Sequence, residues 1–360
     1  MRRTAALIVG GGPAGSAAAI ALARAGVEAE LVERTEGPHD TVCGGFLGWD
    51  SLAALDRLGL DPAALGARPI RRLRLISSER SVEVALPHLA AGLSRRTLDE
   101  ALLAAAQRAG ATVLRGRSVR AADLAERRIR LDDEAGMGGE ALVLATGKHE
   151  LRGGARPVDI STRPLGLRVS LQPGRAMESA LDGTIELHLY DGGYAGLLLQ
   201  DDGTANLCLS ASRERLKEAG GVEPLVERLA GELPAFGEQL RQGEAGAWSA
   251  VSGVPYGWRA GATVEGVYRV GDQAAVIASL AGDGIAIALE SGIAAAKAIA
   301  GGVPAADYQR DWSRRARRPV GLAEVLRRSA ENATARQAMM GLLGWFPSLA
   351  ALAAKLTRIG

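Results

Sequence analysis

Two cysteines, four histidines and four lysines are all that this 360-residue chain has of those types, and each shortage closes off a class of function. Cys43 and Cys208 stand far apart, so the sequence offers neither a disulfide framework nor a cysteine metal cluster. His39, His88, His149 and His188 show no metal-ligand spacing, and no metal is expected. The 43 basic residues are nearly all arginine, and 41 acidic ones bring the net charge to +2, leaving no electrostatic case for nucleic acid. With so much alanine and 47 glycines beside it, the arginine excess reads as a genome preference. No serine sits in a nucleophile elbow, so hydrolase chemistry has no support. Residues 5–23 are apolar enough to imitate a signal or membrane segment. Their glycines, Pro13 and short charged lead fit a nucleotide fold better, so no membrane span is expected and the compartment is read as cytoplasmic. What is plentiful is apolar matter. At 47% hydrophobic residues the chain can bury a sizeable core, as two domains or as one large domain with a subordinate lobe.

The most informative stretch is near the start. Gly10, Gly12 and Gly15 form G-x-G-x-x-G directly after a buried-strand run at residues 5–9, and Ala19 and Glu33 follow at the offsets a dinucleotide site needs. Residues 13–25 read as an alanine-rich helix stopped by Gly26, and residues 30–33 close a second strand. Gly10 allows the tight turn, Gly12 lets the backbone approach a pyrophosphate, and Gly15 lets helix and strand pack closely. The helix N-terminus supplies free N–H donors and a partial positive charge, and Glu33 is placed to accept from a ribose diol. An adenine dinucleotide is expected.

Further along, a helix is expected at 49–58 and two strands at 71–76 and 81–86 around a turn at 77–80. Thr97-Leu98-Asp99-Glu100 matches a capping box, predicting a helix from there to about 108. Short strands are expected at 112–114, 118–120 and 128–131, then an apolar one at 141–144. From 154 to 256 long alternating runs (166–171, 184–190, 195–199, 205–210) suggest an antiparallel sheet, interrupted by one amphipathic helix at 213–230. Strand-and-helix grammar returns at 267–270 and 284–300, and the last sixty residues are helical and arginine-rich.

Three distant segments point to one cofactor: the glycine loop with Glu33, Leu142-Val143-Leu144-Ala145-Thr146-Gly147, and Tyr268-Arg269-Val270-Gly271-Asp272 followed by Leu280-Ala281-Gly282-Asp283-Gly284-Ile285. Together they resemble the FAD-dependent oxidoreductases with the para-hydroxybenzoate hydroxylase fold. Pro38-His39-Asp40-Thr41-Val42-Cys43-Gly44-Gly45 is similar to the Cys-Gly-Gly loop of the geranylgeranyl reductase sub-group, with one extra residue in the spacer. The resemblance, over residues 1 to about 300, implies an α/β protein: a Rossmann-type FAD-binding domain (1–70, 95–153 and 257–300), an inserted antiparallel-sheet substrate domain (71–94 and 154–256), and a helical C-terminal segment (301–360). It implies that FAD is held first by Gly10, Gly12, Pro13, Ala14, Gly15, Glu33 and Arg34. Arg95 is expected near the phosphates, with Val119 at the adenine and Ala145, Thr146 and Gly147 at the strand end. Asp272, beside Gly271, matches the aspartate that accepts from the ribityl hydroxyls. Gly282, Gly284 and Ile285 open a helix toward the flavin pyrimidine edge. Cys43, Gly44 and Gly45 are expected against the reacting face of the flavin. Where family hydroxylases often carry Asp-Gly, this chain has Thr146-Gly147 and then Lys148-His149, which weakens the case for a bound NAD(P)H; the nicotinamide cofactor is at most a transient electron donor.

Tyr190, Tyr194, Tyr256 and Trp258 are the aromatic candidates for the substrate pocket, and as a group they favour an apolar or aromatic small molecule. The tail, with Arg314, Arg315, Arg317, Arg318, Arg327 and Arg328 ahead of an apolar stretch at 339–355, admits two readings. One is a lid or dimer surface packed on the FAD domain, and the other is a peripheral contact with a membrane; packing is the commoner use of such helices. The resemblance leaves two mechanisms open: reduction of a carbon–carbon double bond with a proton from Cys43 or a tyrosine, or hydroxylation of an activated ring by a monooxygenase through a flavin C4a-hydroperoxide.

Overall fold

The computed structural model describes residues 3–78, 80–161 and 163–359; Glu79, in the expected 77–80 turn, lies outside them, as do Met1, Arg2, Thr162 and Gly360. Two sheets organise the chain. The first holds β1 (Arg3–Val9), β2 (Ala29–Val32), β6 (Thr112–Leu114), β7 (Val119–Asp123), β8 (Arg128–Leu131), β9 (Gly136–Leu144) and β16 (Val267–Arg269). Its parallel part runs β6-β2-β1-β9-β16, the Rossmann order, while β7 and β8 continue antiparallel from the start of β9. Leu7, Ile8, Leu142 and Val143 are fully buried, because helices cover one face of this sheet and the β7–β8 ribbon and its loops cover the other.

The second sheet runs β14-β10-β13-β12-β11-β4-β5-β3, with β15 also on β10. Its strands are β3 (Phe46–Leu47), β4 (Arg68–Ile76), β5 (Ser81–Gly92), β10 (Leu165–Pro173), β11 (Thr184–Tyr190), β12 (Gly193–Leu199), β13 (Ala205–Ala211), β14 (Gly243–Ala245) and β15 (Ser249–Val251). The expected antiparallel sheet is therefore present with one departure: β11 joins β4 in parallel, since the chain reaches β11 by a long excursion through the first sheet and not by a hairpin.

The helices are α1 (Pro13–Arg24), α2 (Trp49–Arg57), α3 (Arg95–Arg108), α4 (Arg175–Leu181), α5 (Arg213–Ala219), α6 (Val222–Glu232), α7 (Pro234–Arg241), α8 (Gly284–Ala300), α9 (Ala305–Glu331), α10 (Ala333–Trp345) and α11 (Ser348–Leu356). The single helix expected at 213–230 is two, with α7 following. Gly220 takes a left-handed φ of +83° and ends α5, a conformation that glycine adopts without steric cost. The capping box at Thr97 is also corrected. The helix begins two residues earlier, with Ser94 as N-cap accepting from the Thr97 N–H at 3.2 Å, because Asp201 holds Ser94 N–H at 2.6 Å and the Thr97 hydroxyl at 2.5 Å. That shift places Arg95 on the first helical turn, beside the glycine loop.

The tail turns at Trp345-Phe346-Pro347 as its sequence suggests, and α10 and α11 bend by 115° there. Ala330, Met340, Leu343 and Ala350 of α9–α11 pack on Leu75, Val82, Val84, Leu187 and Leu189 of the second sheet. Among the described residues no single helix is long and apolar enough to cross a membrane, although the bent α10–α11 pair meets that length and composition together.

Candidate active site

Four parallel strands of the first sheet lead to the same cleft. β1 runs into Gly10, β2 into Glu33, β9 into Ala145 and β16, through Val270, into Gly271, and these four residues line one cavity of about 970 Å³. The carboxyl ends of parallel strands are where the fold leaves room for a ligand.

At the dinucleotide end, Gly10 has φ +106°, and a Cβ there would stand 2.5 Å from the Ala145 carbonyl oxygen. A Cβ on Gly15 would meet the Gly10 carbonyl at 1.9 Å, so this glycine serves helix–strand packing and does not itself line the cavity. Glu33 Oε2 accepts the Gly11 N–H at 2.7 Å, and Oε1 accepts the Thr35 N–H at 2.9 Å. Burial pushes the Glu33 carboxyl up, but these two N–H donors and the Thr35 hydroxyl outweigh it and hold the group below its ordinary value, ionised at neutral pH. Arg95 grips Asp99 with two bonds of 2.8 and 2.6 Å and lies beside Gly12, 3.3 Å from where that residue's Cβ would be. Arg34 donates to His149 Nε2 at 3.1 Å; burial, then the Arg34 charge, keep this imidazole below its ordinary value and fit to accept. Val119 lines the same end.

In the middle of the cavity Lys148 Nζ is 3.0 Å from Asp272 Oδ2, an ion pair that no motif announced. The Asp272 charge raises the Lys148 ammonium further above its ordinary value. Arg156 clamps this region from behind, donating to the Asp272 and Lys148 carbonyls at 2.9 and 3.2 Å and pairing with Glu150 at 2.6 Å. The Cys43-Gly44-Gly45 loop also lines the cavity. It is tied to the second sheet by residues that sequence reading passed over: Asn206 donates to the Cys43 carbonyl at 3.0 Å, and Arg168 reaches Asp40 at 3.1 Å. Burial pushes the Cys208 thiol, which also lines the cavity, up to about 12.

These residues fit the flavin cofactor by a simple criterion. A Cβ on Gly44, Gly147 or Gly284 would meet no protein atom within 4 Å, although all three line the cavity. Protein packing does not require glycine at Gly44 or Gly284, whereas a flat ring system seated against their backbone does. The contrast is Gly45 and Gly282, whose added Cβ atoms would strike Gln200 at 2.3 Å and Phe46 at 2.8 Å.

Beyond the flavin loops the cavity turns apolar, walled by Leu73, Leu75, Ile185, Leu187 and Leu189, then by Leu342, Leu349 and Ala353 of the tail. Tyr194 and Tyr256 stand on this wall. Tyr190 and Trp258 do not. Tyr190 faces the other side of the sheet, where its hydroxyl donates to the Ser210 carbonyl at 2.8 Å, and Trp258 packs on the core beneath the first sheet. Alternation along β11 and β12 decides this, since only one face of a strand can see the cavity.

The tail folds back on the start of α8. Arg358 Nη1 meets Asp283 Oδ1 at 2.8 Å, the Ile359 N–H donates to Asp283 Oδ2 at 3.1 Å, and the guanidinium lies 4.2 Å over Trp49. Asp283 is fully enclosed; burial pushes its carboxyl up to about 7 against the pull of Arg358. A carboxyl raised in the folded state binds its proton more tightly there than in the unfolded chain, so its stabilising contribution is largest below about pH 4 and is lost as pH climbs to 7. Relative to Asp283→Asn, the wild type is expected to lose up to about 1.4 kcal/mol per pH unit over that interval. Urea unfolding of both proteins at pH 5 and pH 8 checks the sign.

Comparison with known proteins agrees with the site. The sequence model of one family, described as the FAD binding domain, matches residues 3–140. The menaquinone reductase of Mycolicibacterium smegmatis is 30% identical over 337 residues, covering 85% of this chain and 78% of that protein. The chloroplastic geranylgeranyl diphosphate reductase of Oryza sativa subsp. japonica is 39% identical over 120 residues, 32% of this chain and 25% of the plant protein. In fold, a geranylgeranyl bacteriochlorophyll reductase-like protein from Thermoplasma acidophilum aligns with a TM-score of 0.77 at 19% identity, over 94% of this chain and 90% of that one. The flavin-dependent brominase Bmp2 aligns at 0.81 and 16%, over 99% and 93%. A glycine cradle at the strand ends, a relative alike over most of both chains and a shared fold lead to one conclusion: this chain is an FAD-dependent oxidoreductase of the para-hydroxybenzoate hydroxylase fold and belongs to the flavoenzyme family of the mycobacterial menaquinone reductase.

Proposed function

We propose that this enzyme reduces a carbon–carbon double bond in an apolar, prenyl-type lipid. The observation that carries the reading is the continuity of the cavity, from a glycine-lined, charged cleft to a leucine-walled end closed by the tail helices. The likeness to a mycobacterial menaquinone reductase and a plant geranylgeranyl diphosphate reductase supports it. FAD, when bound, supplies the hydride. Gly10, Gly12, Pro13, Ala14, Glu33, Arg34, Arg95 and Val119 hold its nucleotide half in this account, and Ala145, Thr146, Gly147, Gly271, Asp272, Gly282, Gly284 and Ile285 its other half. The Cys43-Gly44-Gly45 loop, pinned by Asn206 and Arg168, orients the ring and keeps water from it. Electrons arrive from a transient donor of the NAD(P)H class. Residues 1–70, 95–153 and 257–300 act as the FAD-binding domain, and 71–94 with 154–256 as the substrate domain.

The same reading assigns the tail a double role, on a protein that stays cytoplasmic and meets the membrane peripherally. The inner faces of α10 and α11 wall the substrate end of the cavity. Their outer faces leave Trp345, Phe346 and Leu352 at 83, 58 and 50% exposure. A cluster of that size at the turn of two helices suits insertion into a lipid interface, where a prenyl substrate resides. In flotation with phosphatidylcholine–phosphatidylglycerol vesicles the protein is expected to rise with the lipid. The double change Trp345→Ser and Phe346→Ser is expected to weaken that association at least tenfold without lowering the melting temperature. Wild-type protein that stays at the bottom would remove the membrane role and leave the lid.

A further inference from the structure

At the apolar end of the cavity three hydroxyl groups meet. Tyr256 Oη and Ser279 Oγ are 2.7 Å apart, and Tyr194, on the neighbouring β12, is only 4% exposed. The Tyr194 hydroxyl is enclosed without a hydrogen-bond partner, although Tyr256 and Ser279 both lie close enough to act on it. All three residues line the cavity, among Leu187, Leu189 and Leu280. A buried orphan hydroxyl costs about 1–3 kcal/mol. Standing on the wall of the cavity, this one is placed for use by a ligand or a transferred proton.

We propose that Ser279, Tyr256 and Tyr194 form a hydroxyl relay that delivers the proton added to the substrate. The inference rests on the reductase reading above. Reduction of an alkene breaks its π bond and forms two C–H bonds. One carbon takes a hydride with its electron pair from the reduced cofactor, and the other takes a proton. The relay supplies the second: the Tyr194 O–H bond breaks, Tyr194 is reprotonated by Tyr256, Tyr256 by Ser279, and Ser279 by water. Ser279 is the exposed end of this chain and Tyr194 the enclosed end, so protons run from the open cavity inward. Burial holds the Tyr194 hydroxyl well above its ordinary value, so the group stays protonated and acts as a donor. Arg327 lies 5.6 Å over the Tyr256 ring, with its own charge answered by Glu324 and Glu331, and fixes that ring in place. Cys43, the other donor considered from sequence, is turned away from this role. Its sulfur accepts the Gly45 N–H at 3.5 Å and interacts with Arg95 at the charged end of the cleft.

The test uses holoenzyme reduced anaerobically with dithionite and mixed with menaquinone-4 in detergent micelles, in H₂O and in D₂O. Wild-type product is expected to keep two added hydrogens after exposure to air and, in D₂O, to carry two solvent deuteriums, since the reduced flavin exchanges its own N–H with solvent, with a normal solvent isotope effect on flavin reoxidation. Tyr194→Phe should slow that reoxidation roughly 100-fold or more, the range for loss of a positioned acid. Its FAD content, melting temperature and binding of menaquinone-4, read by tryptophan fluorescence, should stay as in the wild type. Ser279→Ala, at an exposed position that cannot disturb the core, should slow reoxidation roughly tenfold and change the isotope effect in the same direction. If both variants reoxidise within threefold of wild type with the same isotope effect, the relay is wrong and the reductase reading stands. If wild-type product gains oxygen, or no lasting hydrogen, both fail.

Discussion

A Gly284→Leu protein is expected to fold and to purify without its yellow cofactor. Gly284 opens α8 at the flavin side of the cavity, its φ lies outside the left-handed region, and an added Cβ would touch nothing within 4 Å. Leucine is also a better helix former than glycine by nearly ~1 kcal/mol, so the variant should melt no lower than wild-type apoprotein. The isobutyl group would instead fill the space against which the flavin ring lies. A loss of at least 100-fold in FAD affinity, about 2.7 kcal/mol, is the expected result. Calorimetric titration with FAD and the ratio of visible to ultraviolet absorbance measure it. Gly15→Ala offers the contrast, since its methyl group would sit 1.9 Å from the Gly10 carbonyl and the chain itself would fail. A Gly284→Leu protein that binds FAD like the wild type would remove the flavin from this wall of the cavity.

The second large effect is expected at Asp99. Its side chain and that of Arg95 are 9 and 18% exposed, and the two bonds between them are the main answer to the Arg95 charge. Asp99→Ala would leave a buried guanidinium uncompensated, which costs about 3–5 kcal/mol. Urea unfolding of the apoprotein should show that loss. Because Arg95 faces Gly12 on the expected path of the FAD phosphates, saturating FAD should restore part of it, beyond the stabilisation FAD gives the wild type. Equal losses with and without FAD would separate Arg95 from the phosphates.

The parts of this protein that were legible in its sequence are those where local chemistry and tertiary structure demand the same residue. Gly10 must be glycine for its turn, Leu7 to Val9 must be apolar because both sheet faces are covered, and Glu33 ends its strand at the offset the cradle requires. Harder to see were contacts between segments distant in sequence. Asp201 moved the start of α3 from Thr97 to Arg95, and nothing near Thr97 announces an aspartate a hundred residues away. Lys148 stood out as a departure from pattern, but its partner Asp272 is set by the adjacency of β9 and β16. Arg168 and Asn206, which hold the Cys43 loop, lie on strands whose alternation marks them only as one face of a sheet. Tyr190 and Tyr194 show the limit most plainly. Four residues apart across a two-residue turn, they are alike by composition, yet one is packed under helices and the other faces the cavity. Arg358 was silent in sequence because its role comes from where the tail folds back, against Asp283 and Trp49.

This flavoenzyme is expected to add hydrogen, and not oxygen, to an unsaturated lipid. The most direct measurement is the mass of menaquinone-4 recovered after anaerobic incubation with the reduced holoenzyme and then exposure to air, which returns any quinol to quinone. The expected product is heavier by two hydrogens that survive air, with the reduction located in the prenyl chain. Recovery of unchanged menaquinone-4, or a product heavier by one oxygen when the incubation is run in air, would contradict it.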